Sequence, residues 1–169
     1  AASLAAFRRG ILYRDLSALE AAGRTGIAAF VARGVVTTGA PEVVEIAIVG
    51  DRDEKELLAL GGGAERAGAT HPFGRAIALY AEKHAGDLVA MRRATEQPGC
   101  GVTATSHGGE PVVVGTRQHL LAQGISVAAA EKKAAAFEER GCSAVFVAVG
   151  GKVQAALALR DGPRGEAAE

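Results

Sequence analysis

Apolar and polar positions alternate in a way that divides this 169-residue chain into a lead-in segment and a compact α+β unit. In the lead-in, short apolar runs at residues 11–13 and 27–31 flank a helical stretch over 17–22. Residues 43–49 are rich in β-branched side chains and follow Pro41, which predicts a strand. The stretch 51–61 opens on aspartates that can cap a helix and continues with Leu57, Leu58 and Leu60. Three consecutive glycines, Gly61, Gly62 and Gly63, are expected to interrupt or bend that helix. A second helix follows Thr70-His71-Pro72-Phe73, with Pro72 in the first turn, where its missing N–H costs nothing, and Gly86 at the end.

Three short strands come next, over 89–95, 102–107 and 111–114, the last two joined by the hairpin signal Gly108-Gly109. Helices over 116–123 and 127–140 precede Gly141, which sits where a C-terminal glycine cap belongs. A hairpin with strands over 144–149 and 153–159 turns at Gly150-Gly151. This order predicts an α+β fold, an antiparallel sheet flanked by two pairs of helices. No βαβ repeat follows Val49, which argues against a doubly wound parallel sheet.

Composition adds constraints. Hydrophobic residues make up 49% of the chain, enough for a core at this length, and most are Ala, Val and Leu with no Trp. Lys+Arg and Asp+Glu balance at 19 each, so nothing general attracts nucleic acid or anionic lipid. Anion affinity has to come from a local site. Cys100 and Cys142 follow no metal-ligand spacing and read as free thiols in a reducing compartment. No apolar run reaches the ~20 residues that span a bilayer, and residues 1–9 lack the apolar stretch of a signal peptide. The expectation is a soluble, cytoplasmic chain that does not itself insert into a membrane. Neither end looks like a natural terminus, so excision from a membrane protein fits equally well.

Four short stretches can carry chemistry. His71-Pro72 opens a helix and can offer a ring nitrogen and a flat face to a ligand, or simply hydrogen-bond the preceding turn. Gly99-Cys100-Gly101 lets a ligand approach the backbone closely, or forms a plain turn. Val114-Gly115-Thr116-Arg117 joins strand to helix, with Thr116 as a cap and Arg117 as positive charge near the helix start. Leu159-Arg160-Asp161-Gly162-Pro163-Arg164 reads as a connector. His84, His107 and His119 lie in polar stretches and are expected to be exposed.

Taken in order, His71-Pro72, Gly99-x-Gly101, Val114-Gly115-x-Arg117 and Leu159-x-Asp161 resemble the nucleotide-binding (N) domain of heavy-metal P-type ATPases, copper transporters among them. That family has S-E-H-P, G-x-G, V-G-N-R/K and L-x-D-x-x-R-P-x-A. The resemblance covers nearly the whole chain. It implies a lead-in over 1–40 at the edge of the phosphorylation domain, a nucleotide-binding domain over 41–159 and a connector over 160–169. It also implies that ATP or ADP binds through its adenine, with magnesium arriving only on the nucleotide. His71 would meet the adenine, Gly99 and Gly101 would form the floor, and Gly115 with Thr116 would line the ribose and phosphate side. The partners implied are the phosphorylation and actuator domains of a parent ATPase, on the cytoplasmic side of a membrane.

Departures from the pattern matter as much. Ala69-Thr70 stands where the family has S-E, and Thr116 replaces its Asn. The family's adenine-contacting glutamate lies five residues before the histidine, where this chain has Arg66; Glu65 is adjacent and fills the role if the helix shifts by one residue. Upstream, residues 30–39 align with F-D-K-T-G-T-L-T-x-G, keeping Phe30, Gly34, Thr37 and Gly39. Val31 takes the place of the phosphorylated aspartate and has no oxygen to attack a γ-phosphate. The chain also stops before the family's magnesium-binding aspartates, so autophosphorylation by this chain is not expected. The alternative is a regulatory or protein-interaction module that kept the fold and lost the nucleotide, a reading that Ala69-Thr70 and Arg66 favour. A stand-alone hydrolase lacks both a nucleophile and a metal cluster in the sequence.

Overall fold

The structure, a computed structural model, describes residues 2–168. Ala1 and Glu169, the outer limits of the expected lead-in and connector, lie outside the described residues. The chain forms two units, Ala1–Val31 and Ala32–Glu169. The first holds helices α1 (Ala2–Arg8) and α2 (Leu16–Gly23), neither with a buried residue. Asp15 caps α2 by accepting the Ala18 N–H. Helix α1 was not signalled by the sequence pattern.

The second unit is one antiparallel sheet of six strands: β1 (Glu42–Ile48), β2 (Met91–Gln97), β3 (Gly101–Ser106), β4 (Pro111–Gly115), β5 (Ser143–Val149) and β6 (Lys152–Arg160). Their order across the sheet is β1-β6-β5-β4-β3-β2. Helices α3 (Glu54–Gly68) and α4 (Pro72–Ala85) cover one face, and α5 (Arg117–Ala122) with α6 (Ala128–Glu139) cover the other. The expected α+β architecture, with its two helix pairs, is the observed one.

Strand periodicity builds two cores. Val112, Val114, Val147, Val149, Leu157 and Leu159 face α3 and α4, while the intervening Val113, Phe146, Ala148, Ala156 and Ala158 face α5 and α6. Nearly every residue of the interior strand β6 is buried, as befits a strand covered on both sides. Phe137 of α6 and Phe146 of β5 are the largest buried side chains in the core on this face.

One expectation fails. Helix α3 runs unbroken through Gly61, Gly62 and Gly63. A Cβ on Gly62 would lie 2.4 Å from the Cβ of Ala81 in α4, and one on Gly63 would lie 2.2 Å from the carbonyl oxygen of Val89. The glycines therefore let α4 and the chain beyond it approach the α3 backbone, and Val89 donates its N–H to the Ala59 carbonyl at 3.0 Å. Burial of the neighbouring leucines offsets the ~1 kcal/mol that each helical glycine forfeits.

The entry to the sheet and its exit are tied together. Asp161 accepts hydrogen bonds from the Thr37 hydroxyl (2.6 Å), the Thr38 hydroxyl (2.9 Å) and the Gly39 N–H (3.0 Å). Arg164 donates back to the carbonyls of Thr37 and Gly34. Thr37 and Pro163 form an isolated antiparallel bridge. Two motifs more than 120 positions apart in the chain thus meet through charge-assisted hydrogen bonds.

Candidate functional site

A cleft of about 200 Å³ opens where α3 and α4 meet the ends of β3, β4 and β5. All six residues singled out for ligand contact line it: Glu65, His71, Gly99, Gly101, Gly115 and Thr116. The lead-in residue Val31 belongs to the first unit and is exposed.

His71 is the N-cap of α4, and its Nδ1 accepts the Phe73 N–H at 3.3 Å. In the neutral ring the proton therefore resides on Nε2, which is left as a donor. The His71 and Phe73 rings lie parallel, 3° apart with centroids separated by 5.4 Å. Together they give the cleft a flat aromatic wall.

Gly101 and Gly115 pair across β3 and β4. A Cβ on Gly101 would fall 2.2 Å from the Val114 carbonyl, and one on Gly115 would fall 2.5 Å from the Cys100 carbonyl. No side chain fits at either place, so the floor is bare backbone. Gly99 contributes differently, by a positive φ of 73° in the turn before β3. Thr116 caps α5 by accepting the His119 N–H at 3.2 Å, which leaves its hydroxyl proton for another partner. Ser143, at the start of β5, lines the far side.

Glu65 and Arg66 point in different directions. Arg66 is exposed and paired with Glu82 of α4, whereas Glu65 is 5% exposed and lines the cleft. Gly74 makes room for it, since a Cβ there would lie 2.5 Å from the Glu65 Oε2. Burial, followed by the charge of Glu96, pushes the Glu65 carboxyl up to about 8. Glu96, on β2, behaves in the opposite way. It accepts from the Thr70 hydroxyl at 2.8 Å and the Thr70 N–H at 3.1 Å, which hold its carboxylate below the usual range.

Arg117, at the start of α5, turns away from the cleft: its guanidinium bridges Glu131 and Glu138 of α6 and lies over the Phe146 ring at 5.7 Å. One further expectation is corrected. His119 is 2% exposed rather than on the surface, because α5 packs it behind the Gly101–Gly115 pair. Its ring nitrogens have no hydrogen bond of ordinary geometry, and burial, partly opposed by the Val102 backbone, lowers its proton affinity. Its position three residues after Thr116, one helical turn along α5, was the available signal. Glu96 carried no such signal, since only strand pairing brings it to Thr70.

Among the described residues, no group of three or more His, Cys, Asp or Glu side chains is placed to hold a metal ion. No described helix is long and apolar enough to cross a membrane.

No family model matches the chain. The chain is 34% identical over 165 residues to the probable copper-exporting P-type ATPase V of Mycobacterium tuberculosis, covering 95% of this chain and 21% of the relative. A zinc-transporting PIB-type ATPase in its E2.Pi state matches 98% of the chain with a TM-score of 0.68 and 30% identity, the match taking up 26% of that structure. The N-domain of HMA6, a copper-transporting P-type ATPase, matches 72% of this chain and 99% of its own, with a TM-score of 0.56 and 26% identity. The chain spans between 16% and 21% of the length of the first curated relatives.

Proposed function

We propose, for a chain homologous to the nucleotide-binding (N) domain segment of heavy-metal P-type ATPases, that its cleft binds ATP or ADP through the adenine. The observation that best supports this reading is the convergence of six residues, spread from Glu65 to Thr116, on one cleft. A planar base fits against the parallel His71 and Phe73 rings and over a backbone floor that stacking and shape can exploit. The Nε2–H of His71 and the carboxyl of Glu65 offer it hydrogen bonds, and the Thr116 hydroxyl faces the ribose and phosphate side. Magnesium enters only with the nucleotide.

The chain is not competent for autophosphorylation on this reading, because Val31 carries no nucleophilic oxygen. It serves a parent ATPase or a related chain as the nucleotide domain beside phosphorylation and actuator domains, on the cytoplasmic side of a membrane.

Titration of the purified chain with ATP, ADP and AMP, followed by calorimetry and amide NMR, tests the reading. Shifts are expected to cluster on His71, Gly99, Gly101 and Gly115. Silence at millimolar nucleotide overturns it and leaves a fold-only interaction module. His71→Asn is the sharper variant, since asparagine keeps a capping oxygen for α4 while removing the ring. Affinity is expected to fall about tenfold, or ~1.4 kcal/mol, with the unfolding midpoint unchanged. Equal affinity in the variant excludes the histidine from binding.

A further inference from the structure

We infer that Glu96 is a positioning and selectivity residue of this cleft: it clips the Thr70–His71 turn to β2 and sets its charge beside Glu65, so that Glu65 takes an adenine edge in preference to guanine. The inference rests on the nucleotide reading above and adds a residue that the ordered motifs do not contain.

Geometry supplies the first half. The turn between α3 and α4 carries His71, and a single carboxylate oxygen of Glu96 receives both the N–H and the hydroxyl of Thr70. The turn is thereby fastened to a strand 26 positions away in the chain. Charge-assisted bonds of this kind fix orientation better than neutral ones.

The second half follows from what else faces Glu65. Titratable groups lining the cleft are Glu65 from α3, His71 at the head of α4, Glu96 from β2 and Cys100 in the turn into β3; β4 and β5 supply none. Thr70 keeps Glu96 ionised, and burial beside that charge keeps the proton on Glu65. Two carboxyls with separated proton affinities then play different parts. A protonated carboxyl offers one donor and one acceptor, which match adenine N1 and the adenine 6-amino group. An ionised carboxylate offers acceptors only. It repels adenine N1 and suits the N1–H and 2-amino donors of guanine. A site left with an unpaired polar edge discriminates strongly.

Calorimetric titration with ATP and with GTP between pH 7.5 and 9 tests this, in a Cys100→Ser background that removes the thiol from the cleft lining. ATP affinity is expected to fall as pH rises through about 8, approaching roughly tenfold per pH unit above that midpoint, while the preference over GTP narrows. In Glu96→Gln, where an amide oxygen still accepts from Thr70, the decline moves to lower pH. Glu65→Gln loses the pH dependence. Carboxyl ¹³C NMR of Glu65 in the ligand-free chain gives a second readout, its midpoint dropping in Glu96→Gln. ATP binding with a flat pH profile, or an unmoved midpoint in Glu96→Gln, overturns this inference and spares the nucleotide reading. Absence of binding by any nucleotide overturns both.

Discussion

Alanine at Gly63 is expected to destabilise the sheet domain by about 3 kcal/mol, whereas alanine at Gly61 leaves it unchanged or stabilises it by up to ~1 kcal/mol. Both positions lie inside α3, and at both the intrinsic helix preference favours alanine by that same ~1 kcal/mol. Their surroundings differ. A Cβ on Gly61 meets the Val147 methyl at 3.4 Å, an ordinary van der Waals contact. On Gly63 it meets the Val89 carbonyl oxygen at 2.2 Å, and backbone cannot swing aside as a side-chain tip can. Relief requires pulling residue 89 away from α3 and losing its hydrogen bond to Ala59. Overpacking of a rigid site costs more than the propensity gain, so the sign reverses within two residues. Urea unfolding of the two variants decides the matter. Equal midpoints would show that the close approach of α3 to residue 89 does not limit stability.

The second large effect concerns Glu65 and pH. In the unfolded chain this carboxyl titrates near 4.5, and in the folded chain near 8. Between those values the native state holds a proton that the unfolded state has released. The stability contribution is therefore complete below about 4.5 and drains away as pH rises through about 8, at about 1.4 kcal/mol per pH unit. Glutamine is close to the protonated carboxyl in shape and does not titrate. Glu65→Gln is thus expected to match the wild type near pH 5 and to exceed it by pH 9, by on the order of 3–5 kcal/mol. Denaturant midpoints at pH 5, 7 and 9 provide the check. A gap that stays constant across that range would place the Glu65 carboxyl in contact with water.

Much of this architecture was legible in the chain. Gly150 and Gly151 both adopt positive φ between β5 and β6, as a two-residue hairpin requires. Pro72 and Gly86 bound α4 where expected, and Thr116 caps α5. The α1 helix left no signal in the sequence pattern, and the triple glycine, expected to interrupt or bend its helix, does not interrupt it. In that case local preference pointed one way and tertiary contact with Ala81 and Val89 pointed the other. The ordered motifs named His71, Gly99, Gly101, Gly115 and Thr116 of the cleft lining, whereas Glu96 and Ser143 reach it from neighbouring strands and carried no signal in the chain.

The sequence by itself determined the order of strands and helices in the sheet unit and the turns between them. These depend on periodicity and on residues adjacent in the chain, whose influence is local. Tertiary structure alone decided which of Glu65 and Arg66 faces inward, because neighbours on a helix point about 100° apart and only packing selects the rotation. It also decided that His119 is buried and that Glu96 answers Thr70. Burial and long-range charge are properties of what surrounds a residue in space, and for these residues the surroundings come from β2, β3 and β4, far along the chain.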